Sequence, residues 1–133
     1  MIEYNDRTIK ELTGISLGEP RLNSYVARTA SRASKKPIGE LTAEEIRLLI
    51  GQRIGVKFLL HRAVLILEKD PLIETAHFEG DLMKTLLELE PEAWSENELD
   101  YSLFRSIVSL HKSELLTTMI PVELFDRYGR LKE

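Results

Sequence analysis

Apolar residues recur at helical spacing along most of the chain. In the segment from Val56 to Lys69 they cover most of the helical circumference, which predicts a buried central helix. Asp70-Pro71 ends this helix, because proline excludes the α conformation for the residue before it. No run alternates between apolar and polar residues, so no strand is predicted. The pattern predicts an all-α fold, with residues 1–133 forming one compact domain of about six to eight short helices around the central one.

Two capping boxes mark the starts of helices. In each, a threonine is followed three positions later by a glutamate: Thr8 by Glu11, and Thr42 by Glu45. The two side chains then bond reciprocally to backbone N–H groups that the first turn leaves without partners. We expect the first helix to end at Gly14, because glycine readily adopts the left-handed conformation that closes a helix.

A second helix is predicted to end at about Ser34. Asn23 or Ser24 caps it, and its less polar residues recur at spacings of three and four. This spacing predicts an inner stripe of Tyr25, Val26, Thr29, Ala30 and Ala33.

Several helical segments are predicted after the central helix. They cover residues 80–89, 91–94, 97–112, 113–119 and 121–128. The first of them places Leu82, Met83, Leu86, Leu87 and Leu89 inside. The apolar positions of the longest are Leu99, Leu103, Phe104, Ile107, Val108 and Leu110.

No segment is predicted to span a membrane or to direct secretion. The N-terminus is polar and acidic, and no apolar stretch approaches the roughly 20 residues that a transmembrane helix needs. Gly51 and Gly55 form a G-x-x-x-G pattern, but Gln52 and Arg53 lie inside it. The pattern therefore indicates a helix boundary rather than a membrane dimer face.

Composition limits the chemistry that the chain can perform. Hydrophobic residues make up 43% and charged residues 30%, values typical of a globular protein. Cysteine is absent, which excludes a disulfide framework, a thiolate metal site and a cysteine nucleophile. Neither a phosphate-binding loop nor a dinucleotide fingerprint occurs, so no cofactor is expected.

Charge is unevenly distributed along the sequence. The formal net charge is −4, but residues 71–100 hold nine acidic residues against Lys84 alone. That segment therefore carries −8 and the rest of the chain +4. Acidic clusters attract basic partners and repel nucleic acid, although a solvated helix face rich in glutamate gives the same pattern.

Two short matches to catalytic motifs favour structural interpretations. Residues 14–18 match G-x-S-x-G around Ser16, but that motif acts on a strand-to-helix turn that this sequence lacks. His77 and Glu79 match the H-x-E of zinc deaminases, whose other half requires cysteine.

His61 is interpreted as a core or groove histidine. Trp94 could anchor a binding surface among its glutamates, but packing into the core is favoured.

An ordered set of short motifs occurs along residues 8–95. They are Gly18-Glu19-Pro20, Asn23-Ser24-Tyr25-Val26, Lys36-Pro37, Leu41-Thr42-Ala43-Glu44-Glu45-Ile46-Arg47, Ile50-Gly51-Gln52-Arg53-Ile54-Gly55, Leu67-Glu68-Lys69-Asp70-Pro71-Leu72, Phe78-Glu79-Gly80-Asp81-Leu82, Pro91 and Trp94. Together they resemble a family of small immunity proteins from bacterial contact-dependent growth inhibition systems. The motifs themselves are typical of structural positions: glycines for turns, prolines for helix ends and caps for helix starts.

The resemblance implies a protein that acts by binding rather than by catalysis. Such proteins remain in the cytoplasm of the producing cell and bind the C-terminal toxin domain of a large secreted adhesin effector delivered by a neighbouring cell. They block the active site of that toxin, in many cases a nuclease with a basic substrate groove that an acidic surface suits. The resemblance implies a one-to-one complex and a monomeric free protein, with no cofactor, no metal and no contact with nucleic acid or membrane.

Contacts that discriminate among toxins are expected outside the shared motifs. The expected toxin-binding residues are Glu88, Glu90, Glu92, Glu96, Glu98 and Asp100. Glu79 and Asp81 are weaker candidates, because both can cap the helix that follows them.

Two other functions remain open at this point. The second helix places Arg28, Arg32 and either Lys35 or Lys36 on one face, which suits an adaptor that binds another protein or nucleic acid. A small hydrolase built around Ser16 or His77 is the least favoured alternative.

Overall fold

The computed structural model of the protein describes residues 4–15 and 24–129. Eight α-helices lie in these ranges: α1 (Ile9–Thr13), α2 (Tyr25–Ala33), α3 (Ala43–Gly51), α4 (Val56–Lys69), α5 (Asp81–Leu87), α6 (Glu98–Leu110), α7 (Lys112–Leu115) and α8 (Glu123–Gly129). The same ranges contain two 3₁₀ turns, Ile38–Glu40 and Pro91–Trp94. The described ranges hold isolated β-bridges but no β-strand, which confirms the all-α prediction.

Local signals in the sequence determine where the helices begin. The backbone N–H of Glu11 donates to the Thr8 hydroxyl at 3.0 Å, and the Thr8 N–H donates to the Glu11 carboxylate at 2.8 Å. Thr42 and Glu45 form the second capping box with the same reciprocal bonds. Gly14 closes α1 in the left-handed conformation, so both the predicted start and the predicted end of this helix are confirmed.

Helix α4 lies at the centre of the molecule, as predicted. It packs against α3, α5, α6 and the 3₁₀ turn Pro91–Trp94. Its buried residues are Leu59, Leu60, Ala63, Val64 and Leu67. They belong to one contiguous hydrophobic core that includes residues from α1 to α8.

Two apolar residues predicted for the inner stripe of α2, and two of the apolar positions of α6, are exposed. Tyr25 and Val26 lie in the first turn of α2, and Leu99 and Leu110 lie at the two ends of α6. The middle of each helix is buried as expected, at Thr29 and Ala30 in α2 and at Phe104 and Ile107 in α6. Periodicity alone does not reveal which turns of a helix its neighbours cover.

The C-terminal helices are an integral part of the core. Leu115, Ile120 and Phe125 are all buried, and α8 packs against both α5 and α6. The tail pieces predicted at 113–119 and 121–128 correspond to α7 and α8, which are shorter or shifted by a residue or two. None of the helices described is both long enough and apolar enough to cross a membrane.

Candidate functional site

Five glutamates predicted as toxin contacts lie exposed between the end of α5 and the start of α6. They are Glu88, Glu90, Glu92, Glu96 and Glu98, and we call this set the acidic surface. Three successive elements present it: the C-terminal cap of α5, the 3₁₀ turn Pro91–Trp94 and the first turn of α6. The chain alternates here between core and surface: Leu89 is buried and Pro91 is half-buried, so the glutamates between and beside them reach the solvent.

Trp94 fixes the acidic surface to the core. Its side chain is 1% exposed, which confirms the core interpretation over that of an exposed binding anchor. The indole stacks on Phe104 at a centroid distance of 4.9 Å and on Tyr101 at 5.4 Å. Since both rings belong to α6, the tryptophan locks the turn against that helix and gives the surrounding glutamates a rigid base.

Two neighbouring cavities open along the acidic surface. One, of about 410 Å³, is lined in part by Tyr4, Phe58 and Leu99, and the other, of about 350 Å³, in part by Arg53 and Leu89. The residues that line both cavities are Lys57, Ser95 and Glu96. A trough with both apolar and acidic walls therefore runs from the start of α4 to the start of α6.

Lys57 and Leu99 belong to this site, although neither was predicted as a contact residue. Lys57 lies in the first turn of the central helix and projects into the acidic surface. Leu99 is 65% exposed among the carboxylates, although its spacing predicted a core position. The charges of Lys57 and Arg62 in the apolar first half of this helix were the available signal, since they indicate an edge that faces solvent.

Asp100 is buried rather than exposed, contrary to the prediction of a toxin contact. Its side chain is only 5% exposed, and Oδ1 lies 2.8 Å from Nδ1 of His61 on α4. The pair joins α4 to α6 beneath the larger cavity. Asp100 therefore leaves the set of candidate contacts, and His61 has the structural role expected of a groove histidine.

Asp81 is also buried, at 3% exposure, and organises the loop before α5. Its carboxylate accepts hydrogen bonds from the backbone N–H groups of Thr75, Ala76 and His77 and from the Thr75 hydroxyl, at 2.8–3.0 Å. Arg47 of α3 donates to the same hydroxyl and lies 4.0 Å from the carboxylate. Asp81 therefore joins α3, α5 and the loop, and it too leaves the candidate contacts.

The hydrogen bonds to Asp81 determine its ionisation. Burial alone raises the pKa of this carboxyl group, because it disfavours the charged form. The N–H groups of Ala76, His77 and Thr75 outweigh burial and lower the pKa to about 2. The carboxylate is therefore ionised throughout the neutral range.

Glu79, the remaining weaker candidate, is exposed on the same loop.

The other candidate sites gain no support from the geometry. His77 is exposed, and only its backbone N–H has a described role, as a donor to Asp81. Ser16 and Gly18 of the G-x-S-x-G match lie outside the described residues. Within the part of the chain that the structure covers, no group of three or more histidine, aspartate or glutamate side chains is arranged to hold a metal ion.

The basic face of α2 is smaller than its sequence suggests. Lys36 donates to both carboxylate oxygens of Glu45, at 2.9 and 3.2 Å, and so joins α3. Arg28 is partly buried, while Arg32 and Lys35 remain exposed. Two exposed cations are a weak basis for a nucleic-acid surface, which usually neutralises several phosphates.

Comparison with known proteins identifies the family of this chain. Residues 11–102, more than half of the sequence, match the family described as CDI immunity proteins, where CDI denotes contact-dependent growth inhibition. No curated protein and no solved structure matches the chain significantly. The matched region includes α2 to α5 and the whole acidic surface. The chain therefore belongs to the CDI immunity proteins, a family whose members neutralise toxins.

Proposed function

We propose that this protein neutralises the C-terminal toxin domain of a CDI effector by covering a basic substrate groove with its acidic surface. The proposed partner is a nuclease, bound one-to-one in the cytoplasm of the producing cell by a monomeric inhibitor with no cofactor and no catalysis of its own. One observation carries the proposal: five glutamates lie exposed together on consecutive short elements within the family-matched region.

The charge of this surface suits a nuclease groove. A groove that binds phosphates is lined with lysine and arginine, and carboxylates placed opposite them both steer the encounter and occupy phosphate positions. Residues 71–100 carry a formal charge of −8. Because Asp81 and Asp100 are buried, most of the negative charge exposed to solvent belongs to the acidic surface. The rest belongs to Glu74 and Glu79 on the loop before α5.

Rigidity also favours tight binding. Trp94 is buried against α6, and Asn97 donates through its side-chain amide to the Lys57 carbonyl at 3.2 Å. These contacts hold both sides of the turn before a partner arrives. Less conformational freedom is then lost on binding, which leaves more of the interaction free energy for affinity.

The first test is protection in cells. The toxin domain encoded beside this gene is expressed alone and together with the protein, and growth is measured. We expect rescue by co-expression. Equal killing with and without the protein would contradict the proposed function.

The second test locates the surface. Glu88, Glu90 and Glu92 are changed together to lysine, and the association rate with the toxin domain is measured at low and at physiological salt. We expect slower association and a weaker dependence on salt, because the attractive long-range field is lost. The matched control reverses three exposed glutamates elsewhere, Glu40, Glu68 and Glu123, with the same change in net charge.

Equal effects of the two triple variants would mean that total charge, and not this surface, drives association. Unchanged binding in the first variant would place the interface elsewhere, and the exposed cations of α2 would then be the next candidates. A mobility shift of generic RNA or DNA by the wild-type protein, lost on changing Arg32 and Lys35 to glutamine, would support the alternative of a basic adaptor.

A further inference from the structure

Lys57 occupies an unusual position for a cation. It lies in the first turn of α4, whose N-terminal end carries the partial positive charge of the helix dipole. Its Nζ atom lies 3.5 Å from Oε1 of Glu96 and 5.3 Å from the ring centroid of Phe58. The helix end disfavours this charge, so Glu96 and the aromatic face of Phe58 are what hold it in place.

The Lys57–Glu96 ion pair stands between the two cavities of the trough. Both cavities are lined by these two residues, while Glu98 belongs only to the larger cavity and Glu92 only to the smaller. The pair therefore divides the trough at its midpoint. An extended segment that followed the trough from one end to the other would meet the lysine side chain there.

This ion pair is weak enough to exchange. The Lys57 side chain is 49% exposed and that of Glu96 is 68% exposed. Exposed pairs of this kind contribute about 0.2–1 kcal/mol, because water screens them and two long side chains must be ordered. An arginine from a partner binds a carboxylate through two parallel hydrogen bonds, which a lysine does not provide.

We propose that Lys57 acts as an internal substitute for a cation of the toxin, and that an arginine-bearing segment of the toxin displaces it from Glu96 on binding. The inference rests on the proposed function and adds the occupant of the trough. Charge complementarity identifies this occupant, because four glutamates line the trough against two cations, Lys57 and Arg53, and the Arg53 guanidinium already donates to the carbonyls of Ile50 and Gly51. The four are Glu90, Glu92, Glu96 and Glu98. Lys57 is thus a specificity residue that moderates affinity for basic partners.

The test compares Lys57→Met with Lys69→Met. Both variants remove one exposed lysine from α4, but Lys69 lies at the opposite end of the helix, about 18 Å away at 1.5 Å per residue. Binding to the toxin domain is measured at about 0.15 M salt, where the Debye length is about 8 Å. We expect Lys57→Met to bind the toxin domain about two- to fivefold more tightly, which corresponds to the free energy of one exposed ion pair. We expect Lys69→Met to bind nearly as the wild type does.

The Glu96→Gln change, made alone and together with Lys57→Met, measures how the effects of Lys57 and Glu96 on toxin binding depend on each other. If Lys57 competes for Glu96, loss of that carboxylate weakens binding more in the Lys57→Met protein than in the wild type. A gain from Lys57→Met that persists undiminished without Glu96 would overturn the proposal, because the lysine would then act only through net charge. Weaker binding by Lys57→Met would overturn it as well, by making Lys57 a direct contact.

The outcomes separate this inference from the function on which it rests. Failure of the wild-type protein to bind the toxin domain would remove both, whereas wild-type binding with no gain in Lys57→Met would remove the inference alone. Sedimentation of the free protein tests whether a second copy of this chain occupies the trough instead. We expect a monomer, and a dimer that Glu96→Gln dissociates would assign the trough to a second copy of this chain.

Discussion

The carboxylate of Asp81 accepts hydrogen bonds from both the backbone N–H and the side-chain hydroxyl of Thr75, at 2.8 and 2.9 Å. Two further N–H groups of the same loop complete the cage around this buried side chain. A residue that reads in the sequence as one more negative charge in an acidic run is therefore a structural centre of the fold. Its contribution to the free energy of unfolding can be measured.

We predict that Asp81→Asn lowers the free energy of unfolding by about 2–3 kcal/mol. The amide presents an NH₂ group toward backbone N–H donors, so some of these buried donors lose their acceptor. Urea denaturation of the variant measures the change. Glu79→Gln is the matched control on the same exposed loop, and we expect it to alter stability by less than about 0.5 kcal/mol. Equal effects of the two changes would contradict the role of the Asp81 cage.

The pKa of Asp81 predicts how stability depends on pH. The folded-state pKa of about 2 lies below the usual value of 3.8, so the unfolded chain binds the proton more readily between these values. The contribution of Asp81 is therefore fully present above about pH 5 and is lost as the pH falls toward 2. Unfolding free energies of the wild type and Asp81→Asn, measured from pH 7 to pH 2, should converge as the pH falls. Parallel curves would refute the assignment.

The two glycines of the G-x-x-x-G pattern should respond oppositely to alanine. Gly55 has φ +64°, and a Cβ atom there would lie 2.7 Å from Cδ1 of Ile9. We expect Gly55→Ala to destabilise the protein by about 2–4 kcal/mol, from backbone strain and overpacking. Gly51 has open space at its Cβ position, so Gly51→Ala should be neutral or stabilising by up to about 1 kcal/mol. Thermal unfolding of the two variants compares them directly.

Trp94 should matter for stability and not for contact with the toxin. Removal of this buried ring in Trp94→Ala should cost about 3–5 kcal/mol in unfolding free energy. Trp94→Phe preserves an aromatic ring against Phe104 and should retain the wild-type association rate. Because both variants lack the only tryptophan, their unfolding and that of the wild type are followed by the circular dichroism of the helices. Slower association of a folded Trp94→Phe protein would place the ring in the interface.

Local signals determined where helices begin and end. Thr8 with Glu11 and Thr42 with Glu45 satisfy N–H groups within a single turn, so their effect is independent of the rest of the fold. Proline after Asp70 likewise ends α4 through its own ring. The sequence also identified the acidic stretch and the family, because these depend on residue types and their order alone.

Only the tertiary structure separated the exposed acids from the buried ones. Asp100 meets His61 of another helix, and Asp81 is enclosed by a loop and by Arg47 of α3. His61 and Arg47 are distant in sequence from the aspartates that they meet, and the loop residues that enclose Asp81 reach it only because the chain folds back before α5, so residue types alone do not separate the two aspartates from the neighbouring glutamates. The same reason explains the exposure of Leu99 and the position of Lys57 opposite Glu96. Backbone preferences act within a turn, whereas the face that a side chain presents depends on what packs against it.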